Sequence, residues 1–199
     1  MFGPLSSTIQ GVVNFTWPMV LISTVIIVSL RIAYILKNHA KFVLYQDLLM
    51  LSFIIYVLCL FQVVTFQDNN NISSNNLIPF REMFRYDLGS RLFLKNVLGN
   101  IIMFLPYGFF TSYFLKEKKL LPIFILTAVA SLTIETTQLM IGRVFDIDDI
   151  LLNIIGGILG HYLYIIILKI GNMCPKVFQA EWFLNLVSII LLVGLITLL

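Results

Sequence analysis

Apolar residues run along this chain in long unbroken blocks, at roughly 11–36, 48–66, 92–115, 120–141, 150–170 and 182–199. Each is about 18 residues or longer with hardly any charge, the length an α-helix needs to cross the ~30 Å hydrocarbon core of a bilayer. The pattern predicts an all-α, polytopic transmembrane helix bundle of about six spans, because helices satisfy every backbone polar group internally. The period-two alternation of a membrane barrel is absent. The opening residues MFGPLSSTIQ carry no basic region and no small-residue cleavage site follows the first block, so that block is expected to be a retained helix.

What separates the blocks is as informative as the blocks. QDNNNISSNNLIPF is Asn-rich and low in apolar content, which predicts a linker over residues 67–78 that cannot order itself by burial. Asn71-Ile72-Ser73 within it is a formal glycosylation sequon. Over 79–91, Phe80, Met83 and Phe84 alternate with Arg81, Arg85 and Arg91, which predicts a short amphipathic interfacial segment with arginines toward headgroups. The third block places Asn96, Asn100, Met103 and Tyr107 on one helix face. Its Pro106 removes a backbone donor and is expected to kink the span, eased by Gly108. Four regions follow: a two-helix scaffold at 1–66, the linker at 67–78, a core at 76–165, and a C-terminal loop with an additional helix at 166–199.

Polar side chains inside the fourth and fifth blocks carry the chemistry. Ser131, Glu135, Gln138 and Gly142 fall at i, i+4, i+7 and i+11, one face of a helix, and Asp149, Asn153, Gly156 and Gly160 repeat those offsets. The hairpin GRVFDIDD joins the two faces and adds Arg143, Asp146 and Asp148. Spans three and five run in one direction and span four in the other. Asn100, Glu135, Gln138, Asp149 and Asn153 therefore land at one level, with Glu135 on the order of 10 Å beneath the hairpin.

A carboxylate at that depth costs a few kcal/mol unless it is paired, protonated or bound to an ion. Glu135 and Asp149 are thus the candidate catalytic groups, and Asn100, Gln138, Arg143, Asp146, Asn153, Arg81 and Arg85 the candidate ligand-binding ones. Asp146, Asp148 and Asp149 are the oxygen donors that would suit a divalent cation such as Mg²⁺. Plainer roles compete at each position. Glu135 as a buried partner for Arg143 or for amides on neighbouring helices would hold the bundle together, an Asp before an apolar helix caps it, and His161 suits an interior hydrogen bond. Pro106, Gly108, Gly156, Gly157 and Gly160 are expected to serve helix packing.

Composition agrees with lipid as the solvent, at 59 % apolar and 12 % charged residues with a mean hydropathy of +0.97. The net charge of +3 is scattered over loops with no nucleic-acid-binding signature. Cys59 and Cys174 sit at different depths and in no CxxC, which argues against a disulfide or thiolate metal site. Arg31, Lys37, Lys41, Lys116, Lys118, Lys119, Lys169 and Lys176 gather on one side, against Arg81, Arg85, Arg91, Lys95 and Arg143 on the other. By the positive-inside rule the 143–149 hairpin and both termini are expected to be extracytoplasmic.

NLIPF at Asn76–Phe80, NVLGNIIMFLPYGF at Asn96–Phe109, SLTIETTQ at Ser131–Gln138 and GRVFDIDDILLNIIGGILG at Gly142–Gly160 together resemble the VanZ-like membrane proteins. The resemblance covers roughly residues 76–165, with matching order and spacing. That family takes its name from a determinant of low-level resistance to teicoplanin, a lipoglycopeptide that binds cell-wall precursors. The resemblance implies a bacterial plasma-membrane location and work near membrane lipids, a lipid-linked cell-wall precursor or a lipoglycopeptide. It supplies no reaction. The alternatives are a metal-dependent hydrolase or transferase of a lipid phosphate with Glu135 as acid or base, a transporter, and a structural bundle.

Overall fold

The computed structural model describes residues 3–39, 41–66, 75–87, 89–173 and 179–198. The sequon, the first part of the Asn-rich linker, Cys174 and Lys176 lie outside these residues. Six helices follow in order: α1 Gly3–Asn38, α2 Leu44–Phe66, α3 Arg91–Leu115, α4 Leu120–Met140, α5 Ile147–Met173 and α6 Glu181–Leu198. The first five contain stretches long and apolar enough to cross a membrane, whereas α6 is apolar but shorter over Glu181–Thr197. The chain is an all-helical, multi-pass membrane protein.

Two compact units divide it, Met1–Phe66 with Met173–Leu199, and Gln67–Asn172. In the first, Arg31 Nε donates to Asp47 Oδ1 at 2.6 Å and its guanidinium lies 5.6 Å from the centroid of the Tyr34 ring. This ion pair ties the end of α1 to the start of α2. Pro18 lies inside α1, which continues through it.

The second unit buries polar side chains beside apolar ones such as Phe104 and Ile123 and exposes many large apolar ones. Ile102, Leu121 and Met140 are exposed, as lipid-facing residues are, while Ser112, Thr127, Ser131 and Glu135 are buried. Lipid tails give apolar side chains no reason to turn inward, so close backbone packing and interior hydrogen bonds hold such a bundle. The crossing of α3 and α5 shows the packing. A methyl group on Gly108 would overlap the Gly157 carbonyl, one on Gly156 the Ile101 carbonyl, and one on Gly160 the Leu105 carbonyl. A Cβ on Gly157 would stand 2.5 Å from Thr127 Oγ1, so α4 packs against the same stretch of α5.

Two local features re-aim α3. Ser90 caps its start, accepting from Phe93 N–H at 3.1 Å. Residues Leu94–Leu98 are then π-helical before a regular helix runs over Gly99–Leu115. The added residue per turn rotates everything downstream. The regular part passes through Pro106 without interruption. At its far end Lys116 takes the left-handed conformation, with φ 52°, and Glu117 accepts from the N–H groups of Lys118 and Lys119 at 2.9 Å. Those bonds, Lys119 first, hold its carboxyl below the usual range.

Candidate functional site

The hairpin between α4 and α5 is built by backbone chemistry. Gly142 has φ +83°, a conformation glycine adopts without strain. Its N–H donates to the Leu139 carbonyl at 3.1 Å and that of Arg143 to the Gln138 carbonyl at 2.9 Å, a Schellman ending of α4. Asp146 starts α5, its Oδ1 accepting from Asp148 N–H at 2.8 Å. Asp148 and Asp149 in the first turn suit the positive end of the helix dipole.

The hairpin pairs with a segment 70 residues earlier. Asn76 and Asp146 form an isolated parallel bridge, with Asn76 N–H donating to Phe145 O at 2.9 Å and Ile147 N–H to Asn76 O at 3.0 Å. Asn76 Nδ2 donates to Asp146 Oδ1 at 2.8 Å, and Phe145 N–H to Asn75 Oδ1 at 3.0 Å. Burial pushes the Asp146 carboxyl above its ordinary range, and the bonds from Asp148 N–H and the Asn76 amide pull it back.

Asp148 is 1 % exposed and is an anchor. Its carboxylate accepts from Phe80 N–H at 2.5 Å, Glu82 N–H at 2.7 Å and Met83 N–H at 3.2 Å. The amphipathic stretch expected over 79–91 is consequently a run of turns up to Tyr86 rather than a regular helix, and Phe80 adopts φ 68° within it. Leu77, Ile78, Phe80 and Phe84 are exposed on this stretch. Arg81 is exposed too, and Arg85 pairs with Glu82 at 3.1 Å. Neither arginine bonds to the interior carboxylates.

Those carboxylates meet below the hairpin. Glu135, 1 % exposed, accepts from Asp146 N–H at Oε2, 3.1 Å. Asn100 Nδ2 donates to Asp149 Oδ1 at 2.5 Å and to Asn96 O at 3.0 Å. Arg143 interacts electrostatically with both Glu135 and Asp149, while burial, opposed by those two charges, lowers its pKa. Gln138 is buried at the same end of α4. One turn deeper, Asn153 Nδ2 donates to Ser131 Oγ at 2.9 Å. Glu135 thus forms the floor, and the half-buried Arg143, Asp146 and Asp149 form the accessible part. The three aspartates point to different partners. Among the described residues no group of three or more His, Cys, Asp or Glu is placed to hold a metal ion.

His161 sits deeper in α5, its Nδ1 2.9 Å from Ser112 Oγ, which donates to Gly108 O at 2.7 Å. Both residues are buried. Sequence patterning missed the part played by Asn76, which is 4 % exposed. The signal was there in NLIPF, where an Asn two residues before an apolar residue and three before a proline forms an Asx turn, Ile78 N–H donating to Asn76 Oδ1 at 3.2 Å.

A family model described as VanZ/LLP1 matches residues 53–168 of this chain. Protein VanZ of Enterococcus faecium is 32 % identical to it over 120 residues, which cover 55 % of this chain and 69 % of that protein. No solved structure matches the chain.

Proposed function

Because the chain belongs to the VanZ/LLP1 family, we propose that its interior polar cluster is a pocket opening on the extracytoplasmic side and engaging a cell-envelope lipid, a lipid-linked precursor or a lipoglycopeptide. In this reading the engagement lowers susceptibility to teicoplanin-type antibiotics. One observation carries it: Asn100, Glu135, Arg143 and Asp149, drawn from three helices and a hairpin, gather at one end of the bundle. Asp148 fastens that end to a turn bearing exposed Leu77, Ile78, Phe80 and Phe84. Polar groups in the pocket suit a headgroup or sugar, and the apolar turn suits acyl chains at the interface. Arg143 is the anion contact, Asn100 and Asn153 orient it, and Glu135 and Asp149 accept from hydroxyl or amide donors.

The test is protection of cells. Wild-type protein is expected to raise the inhibitory concentration of teicoplanin, and Glu135→Gln and Asp149→Asn, at equal membrane abundance, to lose most of that increase. Each replacement keeps a carbonyl oxygen for the bond from Asp146 N–H or from Asn100. Full protection by both variants, or none by wild type, contradicts the reading.

A further inference from the structure

Residues 77–95 present apolar and basic side chains together, at the end of the bundle where α4 stops and α5 starts. Leu77, Ile78 and Phe80 are more than half exposed and Phe84 is 84 % exposed, with the Phe80 and Phe84 rings 6.4 Å apart as one apolar knob. The fold holds that exposure in place. Phe80, Glu82 and Met83 all turn their N–H groups to the buried Asp148 carboxylate, which draws the backbone to the bundle and leaves the apolar side chains outside. Water covers such a surface only at a cost, whereas the boundary of a bilayer, the level at which spanning helices end, accepts it.

Basic side chains border the knob. Arg81, Arg85, Arg91 and Lys95 stand against Glu82 and Asp87 over this stretch, and Glu82 is taken by Arg85 at 3.1 Å. Arg81, Arg91 and Lys95 are exposed, and among the described residues none of them forms an ion pair with a carboxylate. Arg91 and Lys95 are moreover four residues apart at the start of α3, a spacing at which like charges repel. The counter-charge is therefore external. A membrane surface offers it as phosphate esters, to which guanidinium and ammonium groups donate. A zwitterionic headgroup brings an ammonium of its own and leaves the three cations uncompensated; a lipid of net negative charge does not.

We propose that the 77–95 surface binds anionic phospholipid, with Phe80 and Phe84 among the upper acyl carbons and Arg81, Arg91 and Lys95 on the headgroup phosphates. Each basic side chain close to an anionic surface is worth roughly fivefold in lipid preference, so three together favour an anionic over a zwitterionic lipid by about 100-fold at most. This lipid belongs to the surrounding bilayer and is separate from whatever the interior pocket takes.

The test is native mass spectrometry of the purified full chain, released from detergent micelles that hold equal amounts of phosphatidylglycerol and phosphatidylcholine. Wild type is expected to retain phosphatidylglycerol in about tenfold excess or more. Arg81→Gln, Arg91→Gln and Lys95→Gln are each expected to lower that ratio several-fold, and the triple variant to abolish the preference with an unchanged unfolding midpoint in lipid-free detergent. Phe84→Ser is expected to reduce retention of both lipids. Gln at Lys116, Lys118 and Lys119, the basic turn at the other end of α3, is expected to keep most of the wild-type ratio, since Glu117 lies among those lysines. Equal retention of the two lipids by wild type, an undiminished ratio in the first triple variant, an equal loss in the second, or a second copy of the chain held in place of lipid overturns the proposal. Selective retention without antibiotic protection would sink only the pocket reading, and protection without selective retention only this one.

Discussion

Asp148 and Asp146 are neighbours in type and nearly in sequence, yet they do different work. Three backbone N–H groups close on the Asp148 carboxylate, and Asp148→Ala would leave them without an acceptor. The expected loss is about 3 kcal/mol or more, read as a lower unfolding midpoint and as protease cleavage within 77–86; an unchanged midpoint and cleavage pattern would refute the anchor. Asp146 has its folded pKa raised by burial, so the folded state holds its proton more tightly than the unfolded chain. Stability is therefore expected to fall as pH rises from about 3.9, the ordinary Asp value, through the elevated folded value, and to level off above it. Asp146→Asn keeps the Oδ1 that accepts from Asn76 and Asp148, and should flatten that slope when unfolding is followed across pH. The polar spacing of Glu135, Gln138, Asp149 and Asn153 was legible in the sequence because helical periodicity is local. The roles of Asp148 and Asn76 were not, since their partners stand 65 to 70 residues away and no periodicity encodes such pairing.

At the level of elements, hydrophobic blocks mark the helices well because lipid demands apolar residues over a fixed length. The π-helical Leu94–Leu98 leaves no such trace, as its extra residue replaces one apolar position by another. Close approach divides the glycines sharply. A methyl at Gly108, Gly156 or Gly160 would overlap backbone of the facing helix, whereas one at Gly171 or Gly194 meets nothing within 4 Å. Ala at any of the first three is expected to cost about 1–3 kcal/mol, because backbone yields less readily than a side-chain tip. Ala at Gly171 or Gly194 should be neutral or slightly stabilising. Unfolding midpoints of the five variants decide it, and a similar loss at all five would contradict the tight crossing of α3 and α5.

For the whole molecule, an all-helical membrane chain follows from composition and block length, and the division into two units follows the contacts: Gln67–Asn172 carries every residue of the polar cluster. The proposed pocket requires that cluster to face away from the cytoplasm, with Ile141 and the KEKK turn on opposite sides of the bilayer. The direct measurement is labelling by a membrane-impermeant maleimide in intact cells, with Cys59 and Cys174 replaced and a single cysteine at Ile141 or Lys118, both exposed positions. Ile141→Cys is predicted to label in intact cells and Lys118→Cys only after permeabilisation. The reverse pattern would place the carboxylates on the cytoplasmic side and contradict the proposed pocket.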